Sequence, residues 1–277
     1  MTLRGWICVL LVAVAPLSSG TARAASAPGS GAAPALLAPE AALAFAEQVQ
    51  ERLAREGARV ALVFRTGRPR ERLPEGIAYT HGALWVYQAV RTPEGDVVPG
   101  YTVHNLYHHE TERRRSYLHQ DWPLDFVAPS AVDDVGVIVP TLELQRRVHE
   151  LLGTPAYGAL HQSDYSLISN PHDARYQNCN EFLLDVLTAA LYDTTDRERL
   201  KEIQRQHFEP AELRVNPFAR LLGPVFDERV RLGDQHGTPR TVTYASLGRW
   251  LEENDLLAAR FRIERTGGAA LARAEGE

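Results

Sequence analysis

Apolar side chains recur at helical spacing near both ends of the chain and in its middle, with short alternating runs between them. Ala42, Phe45, Ala46, Val49 and Leu53 share one face of a helix that Pro39 and Glu40 open and Gly57 closes. Residues 60–64 form a short apolar run that reads as a strand, and residues 68–74 read as a polar loop. Residues 79–87 give the clearest strand, rich in aromatic and β-branched side chains. Alternation puts Tyr79, His81, Ala83, Trp85 and Tyr87 on one face and Thr80, Gly82, Leu84 and Val86 on the other. A turn at residues 92–95 predicts a hairpin that returns through residues 101–107. Short strands are expected at 116–118 and 135–139, and Thr141 opens a helix that ends at Leu152 and Gly153.

Residues 157–178 form a long polar loop carrying His161, Asp164, Tyr165, His172 and Asp173. Loops of this length inside a domain are usually functional or disordered. This one leads into Phe182, Leu183, Val186, Leu187 and Ala190, again at helical spacing. A more polar helix at 196–207, a late strand at 241–244 and a helix at 247–253 complete the pattern, which has no internal repeat. The expectation is a single α+β domain over residues 39–265, with helices at both ends of a small antiparallel sheet.

The termini read differently. Arg4, the apolar residues 6–14 and the small-x-small Ala22-Arg23-Ala24 make residues 1–24 a secretory signal. Its apolar run is too short to span a bilayer well, and no later segment is apolar for longer. Residues 25–38, rich in Ala, Pro, Gly and Ser, are expected to be a disordered linker, and residues 266–277 a disordered tail. The protein is therefore expected to be exported, to the periplasm in a host with two membranes, with no membrane span once the signal is removed. A formal net charge of -5 gives no electrostatic case for a nucleic-acid partner. Glu112-Arg113-Arg114-Arg115 is short enough to be a solvated turn.

Cysteine usage changes the picture most. The chain has two cysteines, and Cys8 lies in the signal, which leaves Cys179 alone. Exported proteins tend to use cysteines in pairs, so a leftover one points to an intermolecular bridge or a reactive thiol. Polar Gln177 and Asn178 precede it and the apolar helix follows, placing Cys179 in a first helical turn. Free N–H groups and the helix dipole favour a thiolate there. A buried cysteine acting as a small apolar side chain is the bland alternative. Asn178 also reads as a helix cap, and Glu181 as a complement to the dipole.

A cysteine nucleophile needs a base, and histidine is the usual one. Of ten histidines, His81 is the best placed, at the start of a rigid strand; its alternative is a core histidine bonded to a backbone carbonyl. His104 on the neighbouring strand is the first choice to orient His81, with Asn105 next to it. Parity cannot choose between them without the register. His104, His108, His109, Glu110, His119 and Asp121 are dense in metal-ligand types but lack HExxH spacing, so neither a metal nor another cofactor is expected. No G-x-S-x-G is present to support a serine hydrolase.

Thr80-His81-Gly82-Ala83-Leu84-Trp85, Tyr101-Thr102-Val103-His104 and Asn178-Cys179-Asn180-Glu181-Phe182 together resemble the permuted branch of the NlpC-type papain-like fold, the branch of lecithin:retinol acyltransferase-like proteins. There the histidine strand precedes the cysteine helix. More narrowly, the chain is similar to an uncharacterised bacterial family of exported proteins, domain of unknown function family 2145. The resemblance spans most of residues 59–190. It implies a Cys179 nucleophile, a His81 base and an orienting His104. The oxyanion hole would combine the Cys179 N–H with a donor among Tyr165, Tyr176 and Gln177; Asn178 and Asn105 are further oxyanion or cleft candidates, and the resemblance itself carries over no cleft residues. The His81 to His104 spacing exceeds a tight hairpin of that branch, so an insertion must loop out around residues 93–100. The implied activity is a cysteine hydrolase or acyltransferase acting on an envelope-derived peptide, amide or acyl substrate. Its rivals are a papain-like binding module that has lost catalysis and a His-rich metal-binding protein.

Overall fold

A computed structural model describes residues 34–92, 94–214 and 227–266. The strands β1 (Val60–Arg65), β2 (His81–Arg91), β3 (Val97–His108), β4 (Ser116–Asp121) and β5 (Asp134–Pro140), with β6 (Ala211–Glu212), β7 (Arg240–Thr241) and β8 (Leu257–Glu264), form two sheets. Six of them make one antiparallel sheet in the order β4-β3-β2-β1-β5-β8, while β6 and β7 pair separately. The fold is mixed α+β.

Helices cover both faces of the large sheet. On one side, α1 (Pro39–Arg55) and α2 (Pro123–Val127) bury Phe45, Val49, Leu53 and Phe126 against Val63 and Trp85. On the other, α3 (Leu142–Leu152), α5 (Cys179–Tyr192), α6 (Arg197–His207) and α7 (Tyr244–Glu253) pack Leu144, Phe182, Leu187, Leu200 and Leu251 against Leu62 and Leu84. The short α4 (Pro155–Ala159) precedes the long loop. Strands β1 and β5 are covered on both faces, so their sequences are continuous apolar runs without alternation. Among the described residues, no helix is long and apolar enough to cross a membrane.

Several elements differ from the sequence reading. Strand β2 starts at His81 and runs on to Arg91, and β3 begins at Val97, so the hairpin extends well beyond residues 87 and 101. The strand expected at 241–244 shrinks to Arg240–Thr241 because Thr243 and Ser246 form a capping box that starts α7 at Tyr244. Strand β8 occupies a stretch to which the sequence pattern above assigns no element. It lies at the sheet edge, half-exposed, and turns Arg260, Arg262 and Glu264 outward, as edge strands that avoid further pairing do. The N–H groups of Leu36 and Leu37 both donate to the Ala128 carbonyl, so the end of the expected linker lies against α2. The expected signal, the rest of the linker and nearly all of the tail fall outside the described residues.

Helix α5 is held from behind by charge. The Lys201 Nζ lies 2.7 Å from both Glu181 and Asp185, all three fully buried, and Arg197 approaches the same carboxylates at 3.6 and 3.5 Å. Burial pushes Glu181 up to about 7, with Lys201 opposing the shift. Gln177 joins this network through a 2.6 Å bond to Asp185.

Candidate active site

Cys179 is the first residue of α5 and is 6% exposed. Asn178 caps the helix, its Oδ1 accepting from the Glu181 N–H at 2.9 Å, while its Nδ2 donates to the Leu167 carbonyl and Thr241 Oγ1. The helix end rests on the start of β2 at Gly82. A Cβ there would lie 2.6 Å from the Phe64 ring and 2.8 Å from Asn180 Oδ1, so only glycine admits this approach. The Gly82 N–H in turn favours charge on the Cys179 sulfur. Burial outweighs that N–H and pushes the thiol above its ordinary value.

His81 pairs with Arg65 in the β1–β2 register, at the end of the sheet. Its ring is stacked on Tyr107, with centroids 5.2 Å apart and planes 12° off parallel, and tilts against Phe126 at 5.7 Å. Its Nε2 lies 2.9 Å from Asn105 Oδ1. Asn105 Nδ2 donates to Asp121 at 3.0 Å, and Asp121 also accepts from the Tyr107 hydroxyl at 2.6 Å and meets His119 at 3.1 Å. Burial first, then the nearby Arg65 charge, push His81 down to about 3. Both shifts favour the uncharged forms of His81 and Cys179.

The thiol and the imidazole line one cavity of about 360 Å³ without being hydrogen bonded to each other. Arg65, Tyr107, Tyr165, Asn178 and Thr243 contribute to its wall, and Leu106, Leu167 and Ile168 give it an apolar side. The cavity opens at the strand ends, where the long loop, β7 and the β1–β2 connection meet.

A family described as an uncharacterized protein conserved in bacteria (DUF2145) matches residues 52–251. The chain belongs to that family. No curated protein and no solved structure matches it. The region matched by DUF2145 contains Arg65, His81, Asn105, Asp121, Tyr165 and Cys179, whereas β8 and most of α1 lie outside it.

The remaining residues singled out in the sequence separate into two groups. His104 does not meet His81. It is on the other face of β3, with Nε2 3.2 Å from the Thr102 hydroxyl and its ring against Tyr157. The reason is parity: consecutive strand residues face opposite ways, and the register gives Asn105 the His81 side. Tyr165 lines the cavity close enough for the Cys179 charge to act on it. Tyr176 lies under the Arg231 guanidinium, 3.8 Å from its ring centroid, away from that wall. Gln177 is fully committed, accepting from the Gln162 N–H and donating to the Leu160 carbonyl and Asp185. The histidines near β3 do not assemble a metal centre. His108 bonds to the His109 carbonyl and to Arg229, and no grouping of three or more His, Cys, Asp or Glu able to hold a metal occurs among the described residues.

Sequence reasoning missed Arg65, Tyr107 and Gly82. Arg65 ends an apolar run with the parity of Ala61 and Val63, a signal that a basic residue is being carried into the interior.

Proposed function

We propose that this is a cysteine hydrolase or acyltransferase of the permuted papain-like type, acting on an amide or ester of the cell envelope after export. The observation that carries the reading is the His81 imidazole, held at Nε2 by Asn105, in one cavity with a thiol at a helix N-terminus. Cys, His and Asn are the set used by papain-like proteases. The histidine strand also precedes the cysteine helix, as in the permuted branch.

In this mechanism the Cys179 sulfur attacks the substrate carbonyl as its proton passes to His81 Nδ1. Catalytic hydrogen bonds often tighten only when substrate fills the site. The Cys179 N–H, free at the helix start, and the Tyr165 hydroxyl stabilise the developing oxyanion. His81 then returns the proton to the leaving group, and water or a second nucleophile releases the acyl group.

The test is acylation by 4-nitrophenyl butyrate, followed by mass spectrometry of the Cys179 peptide. A single acyl adduct on Cys179 is expected, formed about 100-fold more slowly in His81→Ala. No adduct, or an equal rate in the variant, overturns the reading. The burial that keeps the thiol protonated favours a second reading, a papain-like binding module with an inert cysteine. A negative acylation result assigns the protein to it.

A further inference from the structure

Arg65 is 4% exposed and its Nε has no hydrogen-bond partner. Among the described residues no carboxylate lies within ion-pair distance of it. Asp121, on the same side of the sheet, is committed to Asn105, Tyr107 and His119. What Arg65 does have is the Phe126 ring, 5.3 Å from its guanidinium carbon, and the Tyr107 hydroxyl. Burying an arginine without a counter-charge is costly, and the guanidinium does not escape by losing its proton.

The cavity around it has the same sign. Arg65, Arg68, Arg72 and Arg229 line it, and no Asp or Glu does among the described residues. This is a local excess, since the whole chain is acidic at -5. Arg229 is neutralised by Asp227 at 2.6 Å, but Arg68 and Arg72 are exposed at the rim. The lining also has an apolar part, with Leu106, Leu167 and Ile168.

We infer that the cavity takes an anionic ligand, a carboxylate-bearing compound with a short apolar portion, whose carboxylate is received by Arg65 next to Cys179. Planar guanidinium and carboxylate match in a bidentate pair, and such a pair is strongest where water is excluded. The inference rests on the proposed function only in naming this ligand the substrate. Anion binding at Arg65 stands or falls separately.

Two alkylating agents of nearly equal size separate the cases: iodoacetate, which is anionic, and iodoacetamide, which is neutral. Each forms a sulfur–carbon bond at Cys179 and expels iodide, the thiol proton passing to His81 or solvent. Rates are read on the Cys179 peptide of the full chain, native and unfolded in urea, and the ratio of the two reagents cancels any change in thiol reactivity. The iodoacetate to iodoacetamide ratio is expected to be about tenfold higher in the native protein than in urea, with the excess lost in Arg65→Met and largely kept in Arg65→Lys. An equal ratio in native and unfolded protein, or an excess that survives in Arg65→Met, overturns the inference. Millimolar succinate should also raise the melting temperature of the wild type and not of Arg65→Met, which decides the matter if labelling is too slow to follow. No rise there, with no labelling, also overturns it. Acylation of Cys179 by 4-nitrophenyl butyrate without any anion preference would leave the enzyme reading standing and remove this one.

Discussion

Asn105 presents its side-chain oxygen to His81 Nε2 at 2.9 Å, and this single contact fixes the chemistry of the ring. The amide orientation follows from its other end, because Asp121 can only accept and so must face Nδ2. Nε2 therefore carries the ring proton, and Nδ1 is left with the lone pair that can take a proton from sulfur. Asn105→Ala is expected to lower the acylation rate of Cys179 about tenfold or more by releasing the tautomer. His104→Leu, on the other face of β3, should leave it within about twofold. Parallel rate measurements on the two variants check this, and the reverse ranking would return the orienting role to His104.

The closeness of Gly82 to Asn180 makes the strand start a template for the helix end. Gly82→Ala must push the Phe64 ring and the α5 N-terminus apart, with an expected loss of about 1–3 kcal/mol in stability. Acylation should fall by more than the loss of folded protein explains, since the displaced group is the nucleophile. Urea unfolding and acylation rates on the same preparation test both halves.

Burial raises the Cys179 thiol, and the Arg65 charge opposes the rise. The native thiolate fraction at neutral pH is then lower than that of a free cysteine. Iodoacetamide labelling of the native protein should climb only at a pH above the ordinary thiol range, and later still in Arg65→Met. A native rate profile centred below that of the unfolded chain would contradict it.

Lys201 sits between two buried carboxylates, and removing it leaves them facing each other. Lys201→Met is expected to cost about 3–5 kcal/mol at neutral pH. Glu181 is raised to about 7 in the folded chain, so it takes up its proton there at a higher pH than when unfolded. Its burial penalty is complete above about 7 and fades as the pH falls toward the ordinary carboxylate range. The wild type should therefore gain stability as the pH falls from 7 to 5, and Glu181→Gln should lose that gain, which unfolding curves of both proteins at the two pH values measure.

Much of the frame was legible because local pattern determines it. The periodicity of Ala42 to Leu53, the aromatic run of β2 and the polar-to-apolar switch at Cys179 each specify an element without knowledge of its neighbours. What could not be read depended on pairing. His104 and Asn105 differ by one residue, and only the β2–β3 register tells which of them meets His81. Parity with Ala61 and Val63 points Arg65 inward, but only the β1–β2 register brings it beside His81. Glu181, which reads as a simple complement to a helix dipole, is instead half of an ion-pair network reaching α6. Strand β8 does alternate, Ala259, Phe261 and Ile263 against Arg260, Arg262 and Glu264, so its existence was open to a period-of-two reading, while its place at the edge of β5 comes from pairing.

The buried thiol also makes the molecule its own gauge of breathing. Cys179 is the one sulfhydryl of the described residues, and it lines the cavity while only 6% exposed. Any event that lets a reagent in, whether loop excursion, ligand departure or fraying of the α5 end, is reported as a mass change on a single peptide. Reagents of graded size would then act as a set of callipers for the entrance, returning its width and its opening frequency.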